Sequence, residues 1–461
     1  IGDPRIIATG DVATMIAYPR EKAGVYAVRQ GRPLAANLRR ALAGKRPRRA
    51  VPQRRGLALI GTGDGHAVAS RGSLAAHGVA LWRLKEWIDR RWMRRYRDLP
   101  EMATDEAEDP MRCGGCAAKV PAAVLARVME RLQPAVSEAV MIGLDSPDDA
   151  ALISFPGAPP LLQTVDFFRA MVDDPYLFGR IAATHALGDV YAMGGMPETA
   201  LAIATLPPAR PQIVEHDLYH MLRGGIDVLE AAGAVLVGGH SAEGAELALG
   251  FAVTGRPRPG KLLRKTGLRP GDRLILTKPL GTGVILAADA RGLGPARIVE
   301  GALATMVQSA GPAAGCLLAH RATACTDVTG FGLLGHLLEM LRASNMNAVL
   351  DPDAIPALDG AVSLLGRGIT SSLHADNLVA LAALVIGSAT DALTALLIDP
   401  QTAGGLLAGV PAADAAACVA QLRGLDYRAA EIGFVTQAEG GEPRIELEPG
   451  AAAAPRQTAV A

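Results

Sequence analysis

Short apolar runs at 140–142, 151–155 and 161–165 predict strands. They alternate with longer segments of helical apolar spacing at 180–193, 215–232 and 332–344. Two βα-rich portions result, meeting in the Pro-, Gly- and Arg/Lys-rich stretch 257–270. An α+β or mixed α/β architecture with two lobes is the expected fold class. Upstream, 26–42 and 81–96 read as helices, and 57–60 and 67–70 as short β segments. The opening run 5–13 reads as a strand entering a Gly10-Asp11 turn. No short-period repeat is present, and the Ala/Pro-rich end after Glu448 is expected to be disordered.

At 461 residues the chain is long enough for several domains. Its 50 % hydrophobic, 20 % charged and 4 % aromatic residues fit an Ala/Leu/Val-rich soluble globular protein. There is no uncharged apolar run of about 18 residues, and Ile1-Gly2-Asp3-Pro4-Arg5 lacks the form of a signal peptide. A cytoplasmic protein without stable membrane insertion is therefore expected. The start at Ile rather than Met suggests a piece of a longer sequence. Cys113, Cys116, Cys316, Cys325 and Cys418 are too scattered for a disulfide framework and predict reduced thiols.

Zero net charge conceals a division. Residues 1–100 carry 21 Lys and Arg against 7 Asp and Glu, a balance of +14, and the remainder carries −14. The acidic stretch 101–110 lies at the crossover like a linker. The Arg-rich segment 81–96 carries Trp82, Trp87 and Trp92. It reads as a packed helix with a solvated basic face, or as a membrane-surface or nucleic-acid binder. Spaced five apart, about 500° on a helix, the three Trp do not form one apolar stripe, which weakens the membrane reading.

The chain has no Gly-x-x-x-x-Gly-Lys-Ser/Thr phosphate loop, and Gly61-Thr-Gly-Asp-Gly65 has the wrong spacing for a dinucleotide fingerprint. It has instead aspartates in turn-forming, Gly-rich or strand-edge settings: Asp148-Asp149, Asp166, Asp189 and Asp327. Each alone could be a turn or helix cap. Together they are hard oxygen donors suited to Mg²⁺ bridging carboxylates to phosphates. Arg112-Cys-Gly-Gly-Cys-Ala-Ala-Lys119 has no second Cys-x-x-Cys with which to build a four-thiolate zinc site. A thiol in a Gly-Gly loop three residues from a lysine is placed to become a thiolate nucleophile, the alternative being an inert surface pair.

In order along the chain, Cys116-Ala-Ala-Lys119, Asp148-Asp149-Ala, Thr164-Val-Asp-Phe-Phe168, Gly179-Arg-Ile-Ala-Ala-Thr184, Gly188-Asp-Val-Tyr-Ala-Met-Gly-Gly195, Gly238-Gly-His-Ser241, Thr277-Lys-Pro-Leu-Gly-Thr-Gly283, Thr326-Asp-Val-Thr-Gly-Phe-Gly-Leu-Leu-Gly-His336 and Asp399-Pro-Gln-Thr-Ala-Gly-Gly405 resemble the selenophosphate synthetase family. The resemblance covers about three quarters of the chain and implies an aminoimidazole-ribonucleotide-synthetase-like two-lobe fold. It implies an N-terminal lobe at 111–262 that forms a homodimeric barrel, a C-terminal lobe at 263–448, and a tail at 449–461. The implied reaction turns ATP, selenide and water into selenophosphate, AMP and phosphate. Cys116 and Lys119 would be the essential pair on a mobile loop. Asp149, Asp189 and Asp327 would hold Mg²⁺, while Lys119, Asp166, Asp189, Gly238, Gly239, His240 and Ser241 would contact nucleotide. Nucleic acid is not an implied partner.

Residues 1–100 resemble the C-terminal part of an FAD-dependent NADH-dehydrogenase-like disulfide oxidoreductase, through Ala8-Thr-Gly-Asp-Val-Ala13 and Lys22-Ala-Gly-Val-Tyr-Ala-Val-Arg-Gln-Gly31. A dinucleotide-binding strand-turn-helix would lie before Ile1, so FAD is not expected to bind this segment. The nearest alternative function is another enzyme of the same superfamily, of purine-synthetase or thiamine-monophosphate-kinase type. A redox or binding protein cycling Cys113 and Cys116 is the alternative from another class.

Overall fold

The computed structural model describes residues 7–19, 22, 24–53, 56–97, 114, 124, 127–129, 132, 135, 137–260, 262–385, 390–438 and 440–453. The chain forms two compact units, Ile1–Asp109 and Pro110–Ala461. No single helix among the described residues is long and apolar enough to cross a membrane.

In the first unit helix α1 (Gly24–Leu42) precedes an antiparallel meander of β1 (Ala58–Gly61), β2 (Ala67–Arg71) and β3 (Leu74–Gly78), closed by helix α2 (Val79–Arg97). Trp82 lies against β1: a side chain at Gly61 would come within 2.7 Å of its ring. Trp87, five residues on, points elsewhere and is 53 % exposed under the guanidinium of Arg91. The opening strand expected over 5–13 is absent among the described residues of that run. Residues 7–9 belong to no strand, and Gly10–Val12 is a 3-10 turn whose Gly10 N–H donates to Gln30 Oε1 at 2.8 Å. No neighbouring strand pairs with this run among the described residues, and a lone extended segment has no ladder to hold it.

The second unit is built on two sheets. The first has the order β4 (Val140–Ile142), β5 (Ala151–Ile153), β6 (Leu161–Arg169), β9 (Ala248–Pro257), β7 (Gly195–Leu206), β8 (Val235–Glu243). Every pairing is antiparallel except β7 with β8, which are joined through the long helix α5 (Pro211–Ala231). Helices α3 (Pro175–Ala186) and α5 cover one face, burying Phe178, Met221 and Leu229 against Leu162, Phe168 and Phe251. Each such side chain contributes about 1.5–3 kcal/mol by leaving water. The opposite face leaves Val165, Phe167, Leu201, Val235 and Val237 exposed.

The helix expected over 180–193 begins earlier and is broken. Pro175 fits the first turn, where its missing N–H is no loss, and the Asp174 carboxylate accepts from Leu177 N–H at 3.0 Å. The chain then turns at Leu187 into the short helix α4 (Gly188–Ala192).

The second sheet runs β11 (Ala324–Asp327), β14 (Leu406–Val410), β10 (Arg273–Leu276), β15 (Ala430–Gln437), β12 (Met346–Leu350), β16 (Ile445–Leu447), β13 (Leu384–Val385). Around it pack α6 (Thr282–Ala290), α7 (Ala296–Met306), α8 (Gly311–Ala319) and α9 (Gly332–Ser344) among others. On α9, Leu333, Leu334, Leu337, Leu338 and Leu341 make the buried stripe. Asn345, in the left-handed conformation, ends the helix. The start of the tail expected to be disordered is folded back instead: 451–453 form a 3-10 turn, Ala451 is buried, and Ala452 N–H donates to Asp351 Oδ2 at 3.1 Å. An Ala-rich segment can order when an acceptor on the body takes up its backbone donors.

Candidate active site

Three carboxylates from separate elements converge in the second unit. Asp149 precedes β5, Asp189 sits on α4, and Asp327 ends β11; one oxygen from each lies within 4.8 Å of the others. Alternation along β6 places Thr164 and Asp166 on its buried side, facing α3 and α4. Thr164 Oγ1 donates to Asp189 Oδ2 at 2.5 Å, fixing that carboxylate. Asp166 stands beside the triad, its Oδ2 3.5 Å from His185 Nε2. Since His185 Nδ1 accepts from Ala403 N–H at 2.8 Å, the ring proton sits on Nε2 and faces Asp166.

Asp149 Oδ1 accepts from Thr326 Oγ1 at 2.9 Å and pairs with Lys265 Nζ at 3.1 Å. Its Oδ2 is buried with no hydrogen-bond partner among the described residues. Lys265 also meets Glu339 Oε2 at 2.8 Å. Burial works against the charge on Lys265, but Asp149 and Glu339 outweigh it and hold the ammonium above its ordinary range. Asp148 points away from the triad, accepting from Arg264 Nε and Lys265 N–H, both at 3.2 Å. Only one member of the Asp148-Asp149 pair therefore joins the triad.

The site concentrates negative charge in a buried setting. Burial, then repulsion from Asp327 and Asp148, pushes the Asp149 carboxyl up to about 8 in spite of Lys265. Burial, followed by Asp166, Asp327 and Asp149, drives Asp189 well above the carboxylate range. Three hard oxygen donors, one with an unused buried lone pair, fit a small divalent cation, which would relieve this repulsion.

Two of the motifs that carry the family resemblance are supports. Gln401 Oε1 accepts from Gly281 N–H, Thr282 N–H and Thr282 Oγ1, while Asp399 Oδ2 accepts from Val284 N–H, so Asp399–Gly405 caps the start of α6. Burial lifts the Asp399 carboxyl to about 7. Lys278 is fully buried, donating to Thr305 O, Gln308 O and Ala403 O at 3.2, 2.7 and 2.9 Å. Burial lowers its ammonium to about 7, partly offset by Asp327.

Sequence reasoning missed Thr164, His185, Lys265, Lys278 and Thr326 as parts of the site. Thr164 had a signal, its two-residue spacing from Asp166 in a strand. Lys265 was hidden in the basic stretch that reads as a lobe junction. Cys113, Cys116 and Lys119 lie outside the described residues.

Gly238, Gly239, His240 and Ser241 lie on the edge strand β8, exposed and three strands from β6. That is about 14 Å across the sheet. One protomer therefore does not bring them to the triad through this sheet. Gly239 is required there: at φ 159° a Cβ would sit 2.1 Å from Ala202 O. Gly239→Val should destabilise the unit by about 2–4 kcal/mol through this backbone clash. A thermal midpoint unchanged from the parent would refute that.

Residues 147–256 match the AIR synthase related protein N-terminal domain family, and 269–446 the corresponding C-terminal domain family. The chain is 40 % identical over 353 residues to a selenide, water dikinase of Nitratidesulfovibrio vulgaris strain Hildenborough, covering 76 % of this chain and 100 % of that one. A selenide, water dikinase of Desulfitobacterium hafniense strain Y51 is 41 % identical over 323 residues, covering 70 % and 94 %. In fold it is similar to thiamine-monophosphate kinase from Stenotrophomonas maltophilia, with TM-score 0.51, 21 % identity, and 71 % and 96 % of the two chains covered. It is also similar to a chain of a HypE–HypF complex, with TM-score 0.52, 15 % identity, and 71 % and 97 % covered. With relatives matched over 94 % and 100 % of their length at this identity, the chain belongs to the selenide, water dikinase family.

Proposed function

We propose that this chain converts ATP, selenide and water into selenophosphate, AMP and phosphate, supplying selenium for selenocysteine and selenouridine synthesis. The single observation that carries the chemistry is the buried triad Asp149, Asp189 and Asp327 in a chain without a phosphate loop. These three would hold Mg²⁺, whose charge neutralises the triphosphate oxygens. Lys265 holds Asp149 in place, and Thr164 orients Asp189. The Asp166 and His185 pair forms the adjoining wall, where a nucleotide contact of Asp166 fits. Cys116 and Lys119 would act from the Gly114-Gly115 loop, the thiol guiding selenide and the ammonium adding positive charge. Gly114 itself lies against the end of β6, 2.6 Å separating a Cβ placed there from Ala170 O.

A homodimer belongs to this reading. The exposed Val165, Phe167, Leu201, Val235 and Val237 line one face of a sheet whose edge is β8, as an intersubunit barrel would require. A partner would then be the route by which Gly238–Ser241 reach a nucleotide. For the first unit we infer descent from the flavoprotein family, supported by the Gly10-Asp11 turn held against α1 through Gln30. Visible flavin absorbance in the purified chain would contradict the expectation that this segment holds no FAD.

Phosphorus NMR of the chain with ATP, Mg²⁺ and selenide tests the activity. Selenophosphate and AMP should appear together and only with selenide; AMP formation indifferent to selenide would overturn the reading. Cys116→Ser should lose most selenophosphate output, and full output would remove the thiol from the mechanism.

A further inference from the structure

Away from the triad, a cavity of about 1050 Å³ opens between α3, the end of α5 and the start of α8. Tyr176, Arg180 and Thr184, four residues apart on α3, line it as one stripe. Its two carboxylates are matched by cations that do not line it. Asp227 pairs with Arg223 and also accepts from Tyr176 OH at 2.6 Å, while Glu198 pairs with Arg256 at 2.9 Å. The two lining guanidiniums are less well matched: Arg180 feels Asp227 only through longer-range attraction, Arg180 and Arg258 make no hydrogen bond or ion pair among the described residues, and Arg258 Nε is buried. The Thr184 hydroxyl, in a residue 4 % exposed, is also without a partner. Unmatched buried donors of this kind are costly unless a ligand satisfies them.

Gly311 and Pro312, at the start of α8, also line the cavity but add no backbone donor, since Gly311 N–H donates to Ser309 Oγ at 3.1 Å and proline has no N–H. Tyr176 and Tyr191 supply aromatic surface. On the side toward Asp327, Thr184 also lines a second, separate cavity of about 10 Å³ together with Lys278. It has room for at most about one water, so the larger cavity is a compartment distinct from the triad. Its volume suits an organic ligand, for which about 300–1,000 Å³ is usual, and a lone phosphate would leave most of it empty.

We propose that this cavity binds a nucleoside phosphate, with Arg180 and Arg258 on the phosphate and the tyrosines against the base, independently of the metal-dependent site. The full chain, titrated calorimetrically with AMP in EDTA, should display one metal-independent site per chain, weakened at least about tenfold in Arg180→Ala/Arg258→Ala. Gly315→Leu provides a second variant. Gly315 lines the cavity with nothing within 4 Å of a Cβ, so leucine projects into the space while improving helix propensity. It should also weaken AMP binding, whereas Asp327→Asn should leave this binding unchanged. No AMP binding in EDTA, equal affinity in these cavity variants, or inorganic phosphate binding as tightly as AMP would overturn the proposal.

Discussion

Asp327→Asn should lower selenide-dependent AMP formation by about 10³-fold, the scale of losing a principal charge-stabilising group in phosphoryl transfer. The same substitution should have the opposite effect on the metal-free fold. Asp327 is among the groups that push Asp149 and Asp189 up, so removing its charge relieves both. A carboxyl raised on folding contributes stability that is present below its unfolded value and lost as pH climbs through its folded one. For Asp149 that window runs from 3.8 to about 8. In EDTA, the thermal midpoint of the parent should therefore fall across this range, and that of the variant should fall less. Added Mg²⁺ should restore the parent at the alkaline end and do little for the variant. Parent-like activity, or equal Mg²⁺ stabilisation of both proteins, would remove Asp327 from the metal site.

Lys278→Met should be the most damaging substitution away from the triad, costing about 3–5 kcal/mol because buried carbonyls lose their shared donor. Two of them, Thr305 O and Gln308 O, lie at and just beyond the C-terminal end of α7, where a cation is favoured. The pH dependence has a definite sign. The folded value, about 7, lies below the ordinary 10.5, so the neutral form contributes stability above 10.5 that is lost as pH falls to about 7. The gap between parent and variant should thus widen between about pH 7 and about pH 9.5. Urea unfolding at both values checks it; a constant or narrowing gap would place the burden of Lys278 on packing alone.

Much of this arrangement is legible in the residues, but unevenly. Asp149, Asp189 and Asp327 could be singled out because a carboxylate after an apolar run must have a use once buried. Their convergence could not, since it depends on β11 bringing Asp327 from more than a hundred residues away. The strands at 140–142, 151–153 and 161–169 and the helix Gly332–Ser344 follow their apolar spacing. The break at Leu187 was invisible because the apolar pattern continues through it into Val190 and Tyr191. Lys278 was obscure for the opposite reason. A lysine after a β run reads as a surface residue, and only the assembled carbonyl cage explains why it is inside. Gly238–Ser241 were recognisable as a motif, yet their distance from the triad along the sheet is a property of strand order, which local sequence does not encode.

Residue Ala403 is gripped from both sides: its N–H by His185 of the first lobe, its C=O by Lys278 of the second. It is also held at φ 49°, a left-handed setting that costs a non-glycine residue about 1–2 kcal/mol. The turn is thus a strained clasp between the lobes. A parting of the lobes that breaks the His185 bond leaves Ala403 tied through Lys278 to the second lobe alone. A small local change at His185 can in this way set how readily the whole interlobe seam gives.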